Sequence, residues 1–303
     1  MLAAVFSAFG GPEVLEVSEV DKPAPARDEV RVRVRAAGVQ AYDCAVRGGW
    51  NPPGTTIEFP QIVGNDFAGV IDEVGADVTG FAVGDEVFGW AVLSCYAQYL
   101  AVSADQLVAK PANMSWEVAG AFSASAQTAH TALRALEVGQ GDTLLVHAAA
   151  GGVGTVAVQL AKAWGATVIG TAGERNHDYL RSLGAIPVTY GEGLADRVRE
   201  QAPHGVTAAL DAIGGEALDV SVELVKDRDR IGTLVDFART EELGVRALFS
   251  QRSATRLQEL ADLYARDELR VEISRVFPLE SAADAHREVE TGHVRGKIVL
   301  SIP

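Results

Sequence analysis

Between Thr143 and Thr171 the chain reads TLLVHAAAGGVGTVAVQLAKAWGATVIGT, which gives a strand, a small-residue turn, a helix and a second strand in that order. Thr143 to His147 is a short run rich in Leu and Val, as a buried parallel strand requires. Val153 to Trp164 then carries Val156, Leu160 and Ala163 at helical spacing before Gly165 ends it. Between the two, Ala149, Gly151 and Gly154 fill the small-residue positions of G-x-G-x-x-G, with Ala at the first. The first position makes the turn tight, the second lets backbone amides approach a diphosphate, and the third lets helix and strand pack closely. The segment from Ala150 through Gly151, Gly152 and Val153 to Gly154 is therefore the candidate cradle for a dinucleotide. The unpaired amides and positive dipole end of the helix would offset the diphosphate charge.

The second strand bears on which dinucleotide. An acid about 20 residues beyond such a turn holds the 2′-hydroxyl of NAD. None stands there: the strand ends in Thr171, Ala172 and Gly173, followed by Glu174 and Arg175. One of them, Arg175, can meet a 2′-phosphate, so NADPH is expected over NADH; the other readings are Glu174 turned inward to a ribose and Arg175 as a solvated surface charge.

A chain of 303 residues with 48% hydrophobic content exceeds the usual single domain and can fill two cores. Its 41 acidic and 26 basic residues give a net charge of −15, which opposes binding to nucleic acid or an anionic membrane surface. Cys44 and Cys95 are too few for a disulfide framework or a cysteine-rich zinc site, and no apolar run reaches membrane-spanning length. A cytoplasmic protein is expected.

The pattern changes character twice. Up to about residue 115, alternating segments such as Glu29 to Val39, Gly69 to Gly75 and Ala97 to Val102 are punctuated by Gly and Pro. Strand and helix periods then alternate, with strands expected at Thr143 to His147, Thr167 to Thr171, Pro187 to Tyr190, Ala208 to Asp211 and Gly232 to Phe237. A helix over Ala254 to Arg266, the β-like RVEISRVF, a helix around Ser281 to Thr291 and GKIVLSI return to the earlier style. The expected fold class is α/β: a Rossmann doubly wound parallel sheet over 118–267, with a β-rich domain formed by 1–117 and 268–303.

Nine blocks carry a resemblance. They are Phe9 to Val17, Val32 to Asp43, Val63 to Gly75, Val83 to Gly89, Ala126 to Leu133, Val146 to Gly154, Leu210 to Gly215, Phe277 to His286 and Gly292 to Leu300. In this order the chain resembles the medium-chain dehydrogenase/reductase superfamily, in its zinc-independent quinone oxidoreductase branch. The resemblance implies a GroES-like catalytic domain split around a Rossmann domain, the nicotinamide between them, and a homodimer. It implies a small-molecule quinone or enone as the partner in chemistry.

Zinc-dependent members of the superfamily hold the metal by a Cys after A-G-[VI] and a His in G-H-E. Here those positions carry Gln40 and Asn65, and the third, near Ala124, is equally unsuited. A catalytic zinc needs about three His, Cys or carboxylate ligands, so no metal is expected. Without it, oxidation of a simple alcohol loses the cation that lowers its pKa. Reduction of a quinone or an α,β-unsaturated carbonyl needs only donors for the oxygen that gathers charge. Gln40 and Asn65 are candidates for those donors by resemblance, and the Tyr42 phenol is a candidate hydrogen-bond or proton donor. Each also fits a structural role in its loop. Trp50 in GGWNPP is a candidate wall for a ring substrate or an anchor for its loop, and Phe237, at the expected strand end, is a second candidate wall.

For the coenzyme, the resemblance assigns Thr128 to the ribose or nicotinamide and Tyr190 to the adenosine 2′-phosphate beside Gly173 and Arg175. Lys297 in RGK is a candidate to reach phosphate or, equally, a solvated surface charge. Two rival readings use the same motifs: a reductase specialised for an acyl or polyketide intermediate, and an NADPH-binding protein without turnover. His130, His147 and His293 show no metal-ligand spacing and are assigned to packing or solvent.

Overall fold

The computed structural model describes residues 1–52 and 54–303. The chain falls into two compact units, Met1–Ala124 with Arg252–Pro303, and Ser125–Gln251.

The first unit begins with β1 (Leu2–Phe6), β2 (Leu15–Glu19), β3 (Glu29–Val39), α1 (Ala41–Arg47), β4 (Gln61–Ile62), β5 (Asp66–Val74), β6 (Glu86–Trp90), β7 (Tyr99–Ser103) and β8 (Leu107–Ala109). The helix α2 (Trp116–Ala135) follows. In β3, Val30, Val32 and Val34 are buried while Arg31, Arg33 and Arg35 face outward, the alternation of a strand covered on one face. From Ala36 onward every residue of β3 is buried. There a Cβ on Gly38 would meet the Ala121 Cα at 2.9 Å, and one on Gly120 would meet the Ala36 backbone at 2.7 Å. Small residues thus let the start of α2 lie directly on β3.

That close approach explains the boundaries. The expected cuts at 117/118 and 267/268 fall instead at 124/125 and 251/252. The first turns of α2 are packed on β3, and Asn113 Nδ2 donates to the Ala265 carbonyl at 3.3 Å while Phe122 meets Tyr264 edge-on.

The second unit contains β9 (Thr143–Val146), α3 (Gly152–Ala163), β10 (Thr167–Thr171), α4 (His177–Leu183), β11 (Ile186–Val188), α5 (Leu194–Gln201), β12 (Ala208–Asp211), α6 (Glu216–Leu224), β13 (Ile231–Thr233), α7 (Thr240–Leu243) and β14 (Arg246–Ala247). Its six strands are all parallel, in the order β11-β10-β9-β12-β13-β14. Sequence order therefore reverses between β9 and β12, and ligands of such sheets bind beyond the strand ends at that reversal.

The chain returns to the first unit through α8 (Ala254–Ala265), β15 (Ile273–Pro278), α9 (Ala282–Glu290) and β16 (Lys297–Ser301). β16 pairs with β3, so a sheet of seven strands, β15-β16-β3-β5-β6-β8 with β7 also on β3, joins the two ends of the sequence. Its core holds Phe67, Ile71, Tyr96, Leu100, Leu300 and the inward valines of β3.

Candidate functional site

In the second unit the expected turn leaves β9 at His147, and Ala148 takes a left-handed φ of 52°. The Gly151 amide donates to the Ala148 carbonyl at 2.9 Å, and the Ala149 amide donates to the Thr171 carbonyl at 3.0 Å. A Cβ on Gly154 would come within 2.5 Å of that Ala148 carbonyl and 2.6 Å of the Ala149 Cα, so only glycine lets α3 approach its strand. No side chain caps α3 at Gly151. The helix thus begins without a side-chain cap, with Ala150 buried and Gly151, Gly152 and Val153 partly exposed.

Around the turn the buried polar groups satisfy one another. Thr171 Oγ1 lies 3.3 Å from His147 Nδ1 and Ser221 Oγ lies 2.9 Å from Nε2, and burial lowers the His147 pKa. Asp211 accepts from the Ile213 and Gly214 amides at 3.0 and 2.8 Å and from Thr233 Oγ1 at 2.6 Å. These contacts make His147 and Asp211 structural.

At the end of β10, Gly173 lies under the Tyr190 ring, whose hydroxyl would be 3.7 Å from a Cβ there. Tyr190 is exposed and sits two residues beyond β11, past the end of the strand expected to carry it. The loop is held by Arg197, whose guanidinium donates to the carbonyls of Thr189 at 3.0 Å, Gly191 at 3.0 Å, Glu192 at 2.7 Å and Tyr190 at 3.3 Å. Arg175 is exposed in the short turn that follows Gly173. Thr128 lies inside α2, half-buried.

Phe237 requires a correction. β13 ends at Thr233, whose Oγ1 accepts from the Val235 and Asp236 amides at 3.2 and 3.0 Å and bends the chain away. Phe237 therefore opens a short 3-10 turn and stacks on exposed Phe249, with centroids 4.8 Å apart.

The first unit gathers the other candidates around two buried carboxylates. Gln40 caps α1: its backbone amide donates to Asp43 Oδ2 at 3.0 Å, and its Nε2 donates to Asp66 Oδ2 at 3.0 Å. Asn65 Nδ2 donates to Asp43 Oδ1 at 2.9 Å, and the Ala124 amide donates to Asp66 Oδ1 at 2.7 Å. Burial pushes Asp43 up to about 7, against the pull of the Tyr96 hydroxyl and of Lys297, with Asp66 adding like charge. Asp66 is raised by burial too, opposed by Lys297 and Arg252.

One expectation changes here, and the setting of Lys297 is defined. Asn65 is buried and spends its amide on Asp43, so it supports the site rather than facing an acceptor; its Oδ1 has no hydrogen-bond partner among the described residues. Lys297 is 5% exposed at the start of β16, where the carboxylates of Asp43 and Asp66 act on it while burial lowers its pKa. It therefore lies within the electrostatic reach of both carboxylates.

Tyr42 is half-buried on α1 and meets the exposed Trp50 ring edge-on, centroids 5.3 Å apart. Burial raises its phenol above the ordinary value, so it stays protonated at neutral pH.

As a metal site the arrangement does not fit zinc. Two carboxylates already filled by hydrogen-bond donors, two amides and a buried ammonium make no zinc donor set. Among the described residues no group of three or more His, Cys, Asp or Glu is placed to hold a metal ion. Sequence reasoning missed Tyr96, His286 and Arg47, which pack beneath Asp43, and Arg197 under the Tyr190 loop. His286 lay in a block that carried the resemblance, but nothing local marked it as part of the cluster.

Comparison with known proteins completes the assignment. Residues 26–132 match the alcohol dehydrogenase GroES-like domain and residues 183–300 the zinc-binding dehydrogenase family. The chain is 34% identical to the quinone oxidoreductase of Pseudomonas aeruginosa, covering 97% of this chain and 98% of that protein. It is 32% identical to a 2-haloacrylate reductase of a Burkholderia species, covering 99% and 98%. The structure of the Escherichia coli quinone oxidoreductase complexed with NADPH superposes with a TM-score of 0.89 at 28% identity, over 99% of this chain and 100% of that one. With a GroES-like unit, a parallel dinucleotide-type sheet and relatives matched from end to end, this chain belongs to the medium-chain dehydrogenase/reductase superfamily, as an oxidoreductase of its quinone oxidoreductase-like branch.

Proposed function

We propose that this protein is an NADPH-dependent, zinc-independent reductase that passes hydride to a quinone or an α,β-unsaturated carbonyl. The observation that carries the reading is the pairing, in one chain, of an uncapped glycine turn built for a diphosphate with Gln40, Asn65 and Lys297 around Asp43 and Asp66. When bound, the coenzyme supplies hydride from the nicotinamide C4.

The chain's own residues do the rest. The amides at Gly151 to Gly154 bind the diphosphate. Arg175, beside Gly173 and Tyr190, pairs with the 2′-phosphate, and β10 itself carries no carboxylate. Gln40 gives one amide hydrogen to Asp66 and offers the other to the acceptor oxygen. Tyr42 holds a proton on Oη for that oxygen and, with Trp50, borders the acceptor ring. The balance is acceptor plus NADPH plus one proton giving the two-electron-reduced acceptor and NADP⁺.

The likeness to a 2-haloacrylate reductase favours an activated alkene as a second acceptor class. The same reading assigns the protein to the cytoplasm as a homodimer, with no membrane or nucleic-acid partner. Cys44 and Cys95 are free thiols, and no helix among the described residues is long and apolar enough to cross a membrane. Oxidation of NADPH followed across quinones, enones and acyl-type acceptors tests the function. Turnover with a simple quinone or enone supports it, turnover with complex acyl substrates alone favours a specialised reductase, and coenzyme binding without any turnover refutes it.

A further inference from the structure

Beneath Asp43 a buried row of side chains runs Arg47, His286, Tyr96, Asp43, drawn from α1, from α9 and from the segment between β6 and β7. Its hydrogen bonds have a fixed direction. Arg47 Nη1 lies 3.3 Å from His286 Nδ1, and a guanidinium has no acceptor, so Nδ1 bears a lone pair. The ring is buried and neutral, held down to about 3 by burial and by Arg47, so its one proton sits on Nε2. That nitrogen is 3.4 Å from Tyr96 Oη, and the Tyr96 hydroxyl in turn donates to Asp43 Oδ2 at 3.0 Å. Every donor points toward Asp43. The far end is anchored by the Arg47–Glu290 ion pair and by Arg47 Nε donating to the Gly10 carbonyl at 3.1 Å.

Asp43 receives three donors at its two oxygens: Tyr96 Oη, the Gln40 backbone amide and Asn65 Nδ2. Only an ionised carboxyl accepts at both oxygens without spending one on its own proton. A neutral Asp43 would carry a hydroxyl hydrogen among three groups that all donate to it, which weakens its hold on them. The titratable groups coupled to it are Lys297 on β16, Asp66 on β5, Tyr96 and Cys95 between β6 and β7, and Tyr42 and Cys44 on its own helix, with Arg252 acting on Asp66 and Lys297 and Arg47 on Cys44 and His286.

We propose that Tyr96 and His286 are positioning residues for the reduction: with Arg47 behind them, they hold Asp43 as an acceptor that fixes Asn65 and the Gln40 cap, and thereby aim the Gln40 and Tyr42 side chains. The inference rests on the roles given to Gln40 and Tyr42 above. It assigns a function to buried residues that touch neither coenzyme nor acceptor.

The test joins a kinetic measurement to a spectroscopic one on the full-length protein. Tyr96→Phe removes one oxygen and keeps the ring. It should lower kcat with a quinone about tenfold, the scale of a lost hydrogen bond to a charged group, and leave KM for NADPH within about twofold. It should also move the acidic limb of the kcat–pH profile to higher pH, because Asp43 loses a donor that favours its ionised form. His286→Leu should act in the same direction. In the double variant the losses should fall short of additive, as coupled residues require. With ¹⁵N-histidine, His286 should show the neutral Nε2–H form across the neutral range. An unchanged kcat and pH profile in folded Tyr96→Phe overturns the proposal, as does an Nδ1–H ring at His286. If His286→Leu does not fold, Tyr96→Phe decides alone. A wild-type protein that shows the Nε2–H ring yet reduces no acceptor refutes the enzymatic reading and leaves the directed hydrogen bonds standing.

Discussion

Asn65 Nδ2 donates to Asp43 Oδ1 at 2.9 Å, so the residue at a position where zinc-dependent members of the superfamily place a ligand is turned inward onto a carboxylate. The carboxylate fixes the amide's orientation, because only the nitrogen can face it. The site is thus a cluster of carboxylates and amides with Lys297 buried in their electrostatic reach.

The turn before α3 should tolerate no side chain at its third small position. Gly154→Ala places a Cβ against the backbone of Ala148 and Ala149, which cannot move aside as a flexible side chain would. A stability loss of about 2 kcal/mol and an NADPH affinity at least about tenfold weaker are expected. Urea unfolding and fluorescence titration with NADPH measure the two.

Discrimination between coenzymes should reside in Arg175. Arg175→Ala should raise KM for NADPH about tenfold, the worth of a charge-assisted contact, while KM for NADH stays unchanged. Equal effects on both coenzymes would show that Arg175 does not meet the 2′-phosphate.

Trp50→Ala should affect ring acceptors selectively. Its edge-on contact with Tyr42 places an exposed aromatic surface beside the proposed proton donor. Loss of kcat/KM for naphthoquinones by about tenfold, with short acyclic enones nearly unaffected, is expected. A uniform loss would assign Trp50 to holding its loop.

Two buried groups should tilt stability in opposite directions with pH. His286 lies near 3 in the folded chain against about 6.5 unfolded, so it contributes stability above about pH 6.5 that is lost as pH falls toward 3. Asp43 lies near 7 against about 3.9 unfolded, so its contribution is full below about pH 4 and is lost as pH rises through 7. Urea midpoints measured from about pH 7.5 to about pH 5 should fall less steeply in His286→Gln, and more steeply in Asp43→Asn, than in the unchanged protein.

The parts legible in the sequence were those set by local pattern. The strand–turn–helix at Thr143 to Thr171, the alternation in β3 and the succession of strands and helices along the second unit follow from periodicity and from glycines that backbone geometry demands. Legibility failed where distant segments decide. Lys297 looks like a solvated charge in RGK, yet β16 carries it into the first unit beside Asp43 and Asp66. Tyr96 and His286 carry no local signal, because their contact spans 190 residues of sequence. Phe237 was misplaced by a hydroxyl: Thr233 bends the chain through its own side chain, which strand propensity does not report. The first domain boundary falls later than the pattern suggests because Gly38 and Gly120 let α2 lie on β3, a packing relation no period reveals.

The central claim is that this chain reduces an activated acceptor with NADPH and no bound cation. The most direct measurement is steady-state NADPH oxidation with a quinone before and after exhaustive dialysis against a chelator, with NADH in parallel. The account predicts the same kcat in both samples and a higher kcat/KM for NADPH than for NADH. Activity lost on chelation and restored by zinc would contradict it.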